Sequence, residues 1–428
     1  MHMRNFILAV LVVLSGLAAS AQRTLIYCGQ LIDPKAGKSY TTKTIVVEGS
    51  KISDILDGYS IAGANDKVID LKNRAVMPGL IDMHVHLELE LKKGSSVYDF
   101  MSNPSDIAFA SIKFAGITLL NGFTTVRDLG GTGVNISLRN AIAKGEVTGP
   151  RIYTAGKSIA TTGGHADPTN GYRKDLMGDP GPKEGVINGP DDAYKAVRQR
   201  YKEGSDLIKI TATGGVLSQA KDGANAQFTE QEVKAIVSAA KDYGFKVAAH
   251  GHGAEGIKRA IRGGVNSIEH GTFMDDEGIA LMKQYGTWLV PTIIAGKSTA
   301  DSARIPGYFS ELVIPKALAT GPKIQATFAK AYKAGVKIAF GTDAGVFTHG
   351  KNWLEFVYMT ESGMPIMEAL KSATASAAEL LGASDILGSI EKGKLADIIA
   401  VEGDPLTDVQ TMGKVRFVMK GGKVFRSE

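Results

Sequence analysis

The sequence predicts an α/β protein built around a (β/α)8 TIM barrel. Between Pro78 and about Gly388, short apolar runs alternate with polar loops and helical patterns, and this alternation repeats through the segment. The 51 glycines among 428 residues supply the many tight turns that such a fold requires. An open doubly wound sheet is the weaker alternative, because it normally places one ligand site at a switch point in the strand order.

The predicted strands are short apolar runs that each precede a polar or glycine-rich loop. In chain order they are Gly79 to His84, Thr124 to Asp128, Arg151 to Ala155, Asp206 to Thr211, Lys246 to Ala249, Asn266 to Glu269, Trp288 to Pro291 and Lys337 to Phe340. Helical patterns separate most of them, for example Asp106 to Asn121, Asp191 to Lys202, Glu230 to Tyr243 and Gln325 to Ala334. A capping box of Thr229 and Glu232 is predicted at the third helix. In a barrel, the chemistry is expected at the C-terminal ends of the strands.

Both ends of the chain predict strands and turns. The region from Arg23 to Asp70 contains β-type runs, and the region after Asp397 contains more of them, with a hairpin turn at Gly421-Gly422. Neither end has enough apolar residues for its own core, so we expect the two ends to pair into one small β-sandwich domain. The predicted boundaries are 22–77 and 391–428 for this domain and 78–390 for the barrel.

The first residues are typical of a secretory signal peptide. Arg4 precedes an apolar run that reaches Ala18, and Ala19-Ser20-Ala21 supplies the small residues expected before a cleavage site at Gln22. The run is short for an uncleaved membrane anchor. We therefore expect residues 1–21 to be removed and the product to be exported, periplasmic or secreted, without a membrane attachment.

Composition narrows the possible ligands. Lys and Arg number 49 against 44 Asp and Glu, and the resulting net charge of +5 is too small an excess to suggest a nucleic-acid partner. Cys28 is the single cysteine, which excludes an intramolecular disulfide and a thiolate metal site. Any metal must bind to histidine, carboxylate or a modified side chain. We expect a small-molecule substrate and a homo-oligomer.

Histidines accumulate at the ends of the predicted strands. His84 and His86 close the first strand, and residues two apart in an extended segment point the same way. His250 and His270 end the fifth and sixth strands, and Asp343 follows the eighth. A lone histidine in a strand is usually a core residue, but this convergence at one rim predicts a metal site.

Lys209 makes the pattern more specific. It lies within the fourth predicted strand, where the interior is too buried for a free ammonium group. A structural ion pair is the simplest interpretation. A desolvated lysine is also nucleophilic, so it can take up carbon dioxide as a carbamate, which is an anion able to bridge two cations.

The sequence resembles the amidohydrolase superfamily in its binuclear-metal subtype. The segment from Val76 to His86 (VMPGLIDMHVH) is similar to that family's opening signature, and Gly341-Thr342-Asp343 is similar to its eighth-strand motif. The segment from Glu391 to Ile398 (EKGKLADI) resembles the family's return into the small β domain. The resemblance covers essentially the whole chain after the signal segment.

The resemblance implies a ligand set and a reaction. It implies one divalent ion on His84, His86 and Asp343, a second on His250 and His270, and carboxylated Lys209 as the bridge, with zinc as the expected metal. A bridging hydroxide is then expected to attack an amide carbonyl. Asp343 is expected to accept the proton and to deliver it to the departing amine.

Three glycine-rich loops resemble those of Xaa-Pro dipeptidases and of enzymes that hydrolyse N-acyl amino acids, including ochratoxin-type amides. They are residues 161–165 (TTGGH), 212–218 (ATGGVLS) and 250–253 (HGHG). Glycine-rich loops let backbone N–H groups approach an anion, and a nearby histidine adds a donor for a carboxylate or an oxyanion. His165 and His252 are the candidates for this catalytic contact. The simpler interpretation of each is a structural histidine.

Other reactions are compatible with parts of the pattern. Deaminases of the superfamily commonly carry a glutamate three residues after the fifth-strand histidine, where this chain has Gly253, so deamination is disfavoured. Hydrolysis of cyclic amides, of the hydantoinase or dihydropyrimidinase type, uses the same metal set and stays open as the main alternative. A non-catalytic scaffold is disfavoured because the ligand set is complete.

Overall fold

The computed structural model describes residues 23–95 and 101–428. The predicted signal segment, 1–21, lies outside the described residues. The strands are β1 Arg23–Asp33, β2 Lys38–Glu48, β3 Lys51–Asp57, β4 Lys67–Pro78, β5 Leu80–Val85, β6 Phe123–Asp128, β7 Arg151–Thr154, β8 Ala160–Thr161, β9 Val186–Ile187, β10 Ile208–Thr211, β11 Val247–Gly253, β12 Ser267–Phe273, β13 Trp288–Val290, β14 Ile398–Val401, β15 Val415–Lys420 and β16 Lys423–Ser427.

Helices follow most of the central strands. They are α1 Pro104–Leu120, α2 Val134–Lys144, α3 Lys174–Met177, α4 Pro190–Glu203, α5 Glu230–Asp242, α6 Ala254–Gly263, α7 Asp276–Tyr285, α8 Ile293–Ser302, α9 Val313–Lys333, α10 Leu354–Glu361, α11 Ile366–Ser372 and α12 Ala375–Leu381, with a short 3-10 helix at Val409–Gly413. None of the helices in the described part of the chain combines the length and the apolar character that a membrane crossing requires.

The two ends of the chain form one seven-stranded sheet, in the order β16-β15-β14-β4-β1-β2-β3. Strand β4 joins the ends, because it pairs in parallel with β1 and antiparallel with β14. Ile26, Ile45, Ile398 and Phe417 belong to the buried cluster of this sheet. The expected pairing of the chain ends is therefore confirmed. The pairings of the described residues give a single sheet here, and a sandwich stays a prediction.

The central unit contains two parallel sheets, β5-β6-β7 and β10-β11-β12-β13. On one side, the amide of Asp206, two residues before β10, donates to the carbonyl of Thr154 in β7 at 2.8 Å. On the other side, residues 337–344 pair with β13 and β5 through isolated bridges, Leu289 to Ile338 and Val85 to Ala344. Hydrogen bonds thus connect the two sheets at both sides.

Two elements differ from the sequence prediction. The run from Lys337 to Phe340 carries one isolated bridge, Leu289 to Ile338, and no regular strand. The Phe340 carbonyl accepts from the Met83 amide of β5 at 2.9 Å, while its own amide donates to the Ser372 carbonyl at 3.0 Å. Helix α9 begins at Val313, well before the predicted start at Gln325, and runs through Pro322. Gly321 permits this packing, because a Cβ atom there would lie 2.5 Å from the Ala300 methyl group.

Helix α5 shows how the outer layer attaches to the sheets. The hydroxyl of Thr229 accepts from the Glu232 amide at 3.2 Å while the Glu232 carboxylate accepts from the Thr229 amide at 2.8 Å, which confirms the predicted capping box. Val233, Ile236 and Ala240 then face the core at helical spacing. Through such buried faces, the helices pack on the strands whose C-terminal ends hold the candidate site.

Candidate active site

Four histidines and one aspartate meet where the central strands end. The His84 ring centroid lies 5.3 Å from that of His86 and 5.1 Å from that of His270, and the His250 and His270 centroids are 4.6 Å apart. His84, His270 and Asp343 place one potential ligand atom each within 4.8 Å of one another. The strand ends thus bring together the predicted ligands.

His84 is held by a buried carboxylate. Its Nδ1 lies 3.0 Å from Oε2 of Glu269, and the other oxygen of Glu269 accepts from Arg127 Nη2 at 2.8 Å and from the Ser267 hydroxyl at 2.5 Å. Arg127 also donates to the Met83 carbonyl at 2.7 Å. A carboxylate on one ring nitrogen fixes the tautomer and leaves the other nitrogen, Nε2, as a ligand atom.

In each of the other three candidate histidines, one ring nitrogen also contacts an oxygen atom, here of an uncharged carbonyl or hydroxyl group. The Nδ1 of His86 lies 2.8 Å from the Gly130 carbonyl, and the Nε2 of His250 lies 3.0 Å from the Gly214 carbonyl. The Nδ1 of His270 lies 2.7 Å from the Thr292 hydroxyl. One nitrogen of each ring is thus engaged by an oxygen atom and the second is left for a cation, so the donor set fits a metal centre.

Asp343 completes this set through an unusual backbone. Its Oδ1 lies 3.2 Å from Nε2 of His86 and 3.4 Å from Nε2 of His84. Asp343, His270 and Thr292 adopt positive φ angles of 63°, 72° and 51°, which non-glycine residues adopt at a cost in energy. A left-handed residue turns the chain at a strand end, and this places His270 and Asp343 toward the common centre.

A second buried carboxylate, that of Asp82, holds the backbone next to the ligands His84 and Asp343. Asp82 accepts from the amides of His84 and Thr342, both at 3.1 Å, and from the Thr342 hydroxyl at 2.6 Å. The Asn352 side chain donates to it at 2.8 Å. Burial raises the pKa of Asp82 to about 6 although these hydrogen bonds oppose the shift. Asp82 therefore ties β5 to the loop that carries Asp343.

Burial controls the charge of these groups. It places the pKa values of His84, His250 and His270 well below the ordinary value, so these rings are neutral, as metal ligands must be. Asp343 has a lowered pKa despite burial, because His84, His86 and Lys209 surround it. The site thus combines three neutral imidazoles with an ionised carboxylate. Burial lowers the pKa of His86, but the hydrogen bond and the charge of Asp343 outweigh burial and raise it.

Lys209 is buried within this cluster on β10. Its Nζ lies 3.3 Å from Nε2 of His84. Burial lowers the pKa of its ammonium group to about 8. Among the described residues, no carboxylate lies within 4 Å of Nζ, so the simple interpretation of a structural ion pair receives no support from the geometry.

His165 and His252 border the cluster. The His165 ring centroid lies 4.5 Å from that of His250, and the His252 ring stacks on His270 at 4.9 Å. Burial lowers the pKa of His165 to about 3 and that of His252 to about 4, so both rings are neutral. The buried Nδ1 of His165 has no hydrogen-bond partner within the described parts of the chain.

These residues lie in a cavity of about 1160 Å³. One wall comes from the loop after β10, at Val216 and Leu217, and another comes from α8 and α9, at Ala295, Gly296 and Ile324. The volume exceeds that of a single amino acid many times, so a substrate with two linked parts fits.

Sequence reasoning missed the groups that hold the ligands. One of them is Glu269, which forms a buried ion pair with Arg127 at 2.8 Å. The signal was present, because Ser267 and Glu269 alternate in one strand with an apolar residue between them, as polar groups facing an interior do. Asp82 shows the same two-residue spacing before His84 and His86.

A family model for the amidohydrolase family matches residues 75–425. The chain belongs to this family and is a hydrolase that acts on amide bonds.

Individual relatives are consistent with the subgroup named from the sequence. Ochratoxinase from Aspergillus niger is 31% identical over 434 residues, covering 95% of this chain and 87% of the relative. A solved structure of a Xaa-Pro dipeptidase with bound methionine in its active site is 54% identical, with a TM-score of 0.93, covering 95% of this chain and 100% of that one. A prolidase complexed with N-methylphosphonate-L-proline is 31% identical, with a TM-score of 0.87 and the same coverages.

Proposed function

We propose that this enzyme hydrolyses the amide bond of dipeptides or N-acyl amino acids that carry a free carboxylate, including Xaa-Pro dipeptides and ochratoxin-type amides. The observation that carries the proposal is the position of His165. A neutral imidazole with an unpartnered Nδ1 faces the same cavity as the metal-type residues. The similarity to a Xaa-Pro dipeptidase and to ochratoxinase supports the substrate class.

The metal centre is proposed to hold two divalent ions, with zinc as the expected metal. His84, His86 and Asp343 would hold one ion, His250 and His270 would hold the other, and Lys209, as a carbamate, would contribute a ligand to both. The ions supply an acidified water and a Lewis acid for the scissile carbonyl. The lowered pKa of Lys209 supports the carbamate, since an uncharged amine is the form that reacts with carbon dioxide.

The protein's own residues then move protons and hold the substrate. Asp343 is ionised and lies beside His84 and His86, so it can accept the proton of the attacking water and return it to the leaving nitrogen. His165 donates to the substrate carboxylate or to the developing oxyanion. His252, whose Nδ1 is engaged by the Thr272 hydroxyl at 2.8 Å, presents its other nitrogen as the second candidate donor.

The proposed architecture around the site follows the family fold. The two parallel sheets and residues 337–344 form one closed ring of eight strand positions, within a barrel of residues 78–390. Residues 22–77 and 391–428 form the small β domain. The isolated bridges at Ile159 and Ile338 support the closure.

A matched substrate series tests the function. Dipeptides and N-acyl amino acids with a free carboxylate are compared with their amidated forms and with hydantoins and dihydropyrimidines. Capping the carboxylate is expected to lower kcat/KM at least about tenfold, because a polar group of the site loses its partner. His165→Ala is expected to reduce that discrimination. Equal rates on free and amidated substrates, or faster hydrolysis of the cyclic amides, would assign the enzyme to the cyclic-amide alternative.

A further inference from the structure

The loop that follows β10 is fastened to α9 by one ammonium group. Lys316 Nζ donates to the carbonyls of Ser218 at 2.6 Å, Ala220 at 2.8 Å and Gly215 at 3.3 Å. No carboxylate of the described residues lies within ion-pair distance of it. Three carbonyl oxygens around one cation compensate its charge, so the loop and the lysine stabilise each other.

This loop has little regular structure of its own. Residues 214–225 contain no helix or strand. Val216 and Leu217 pack in an apolar cluster with Val313 and Ala317 of α9, and the rest of the loop is held by turns and single hydrogen bonds. Gly214 is held separately, since its amide donates to the Asn225 carbonyl at 3.0 Å. The contacts of Lys316 therefore act on the part of the loop that begins at Gly215.

The same part of the loop determines where His165 lies. A Cβ atom at Gly215 would be 2.2 to 2.4 Å from three atoms of the His165 ring, so the ring rests directly on the Gly215 backbone. Val216, Leu217 and Ser218 line the cavity beside it. A displacement of the loop moves both the histidine and the wall that faces the substrate.

We propose that Lys316 is a positioning residue, which acts through the carbonyls of Gly215, Ser218 and Ala220 to hold His165 and the adjacent cavity wall in place for the substrate. The hydrogen bonds between Lys316 and the loop exist whatever the enzyme hydrolyses. The expected effect of Lys316 on turnover, by contrast, rests on the proposed function.

The test compares Lys316→Met and Lys316→Ala with Lys323→Met, which changes an exposed lysine on the same helix, in the full-length protein with its metal. Trypsin cleavage after Lys221, within the loop, reports on the loop without any substrate. We expect Lys316→Met to accelerate this cleavage about tenfold and to lower kcat/KM about tenfold or more, because small displacements of positioning groups have effects of this size. Metal content is expected to stay at the wild-type value, and Lys323→Met to behave as wild type.

Chemical rescue separates positioning from general damage. Ammonium chloride is expected to slow the cleavage of Lys316→Ala and to restore part of its activity, whereas sodium chloride at equal ionic strength is not, because ammonium can donate to the vacated carbonyls. If Lys316→Met does not fold, this rescue decides the question. Cleavage and kcat/KM within about twofold of wild type, or no rescue by ammonium, would overturn the proposal. If the wild type hydrolyses none of the dipeptides and N-acyl amino acids, the proposed function fails, while the cleavage assay still decides the role of Lys316.

Discussion

The metal-facing strand ends and the loop wall opposite them are stabilised in different ways. At the strand ends, His84 is held by Glu269, which is itself paired with Arg127, and all three side chains are buried. At the loop after β10, the Gly215 backbone contacts the His165 ring, and Lys316 of α9 donates hydrogen bonds to carbonyl groups of the loop. The first region is a buried network of charged side chains, and the second depends on contacts to the backbone of a loop beside the cavity. This difference implies that mutations in the two regions will separate metal binding from substrate binding.

Among the changes proposed here, Glu269→Ala is expected to have the largest effect on stability and on metal binding. This change leaves Arg127 buried without its counter-charge, which typically costs about 3–5 kcal/mol. It also removes the acceptor that orients His84, so metal affinity is expected to fall by about 10- to 100-fold. Chemical denaturation and metal titration measure the two effects.

The control for that change is Glu255→Ala, which removes an exposed ion pair with Arg259. Its effect on the free energy of unfolding is expected to be below about 0.5 kcal/mol, because exposed helix pairs contribute little. Equal metal affinity for Glu269→Ala and wild type would show that His84 needs no orienting carboxylate.

Gly215→Ala tests the loop wall. The new methyl group would overlap the His165 ring, and overpacking of this kind costs about 1–3 kcal/mol unless the ring moves. We expect the ring to move, with a loss of about tenfold or more in kcat/KM and an unchanged metal content. Gly116→Ala is the matched control, since the space around Gly116 on helix α1 is open and alanine favours a helix there. Metal loss in Gly215→Ala would contradict the separation of the two regions.

The last prediction concerns pH and a carboxyl group at the start of α8, outside the two regions compared. Glu355 accepts from the amides of Ile293 and Ile294 at 2.9 and 2.7 Å, and burial raises its pKa to about 8. Because the pKa of Glu355 is higher in the folded than in the unfolded chain, the folded state binds its proton more tightly. The resulting contribution to the free energy of unfolding is complete at acidic pH and is lost as the pH rises toward 8. The melting temperature of wild type is therefore expected to fall from pH 5 to pH 8 more steeply than that of Glu355→Gln. Glu311→Gln, at an exposed position, is the control, and parallel curves for Glu355→Gln and wild type would contradict the assignment.

The sequence was most informative where side chains alternate. The two-residue period placed His84 and His86 on the same side at the end of β5, whereas β11 and β12 each run three residues past the predicted strand ends at His250 and His270. The sequence was least informative about backbone conformation at positions outside regular helices and strands. The positive φ angles of His270, Thr292 and Asp343 follow from the packing of several elements, and no single residue indicates them.

Contacts between distant segments were also beyond the sequence. Glu269 and Lys316 each act on residues far away in the chain, and nothing in their local patterns names those partners. Helix α9 was predicted too short because Gly321 and Pro322 interrupt its pattern, while the space beside Ala300 accepts the glycine only in a continuous helix. Tertiary packing decided these points.

The seven-stranded sheet has a consequence for how the chain reaches its folded state. Ala75 in β4 pairs with Val401 in β14, and β15 and β16 extend the sheet from there. During synthesis, the edge of β4 that pairs with β14 therefore stays unpaired until the residues of β14 and those beyond 400 are available. Contacts of such large sequence separation slow folding, because the loop must close before the contact forms. An unpaired β4 edge is also a template for pairing between incomplete chains until β14 is added.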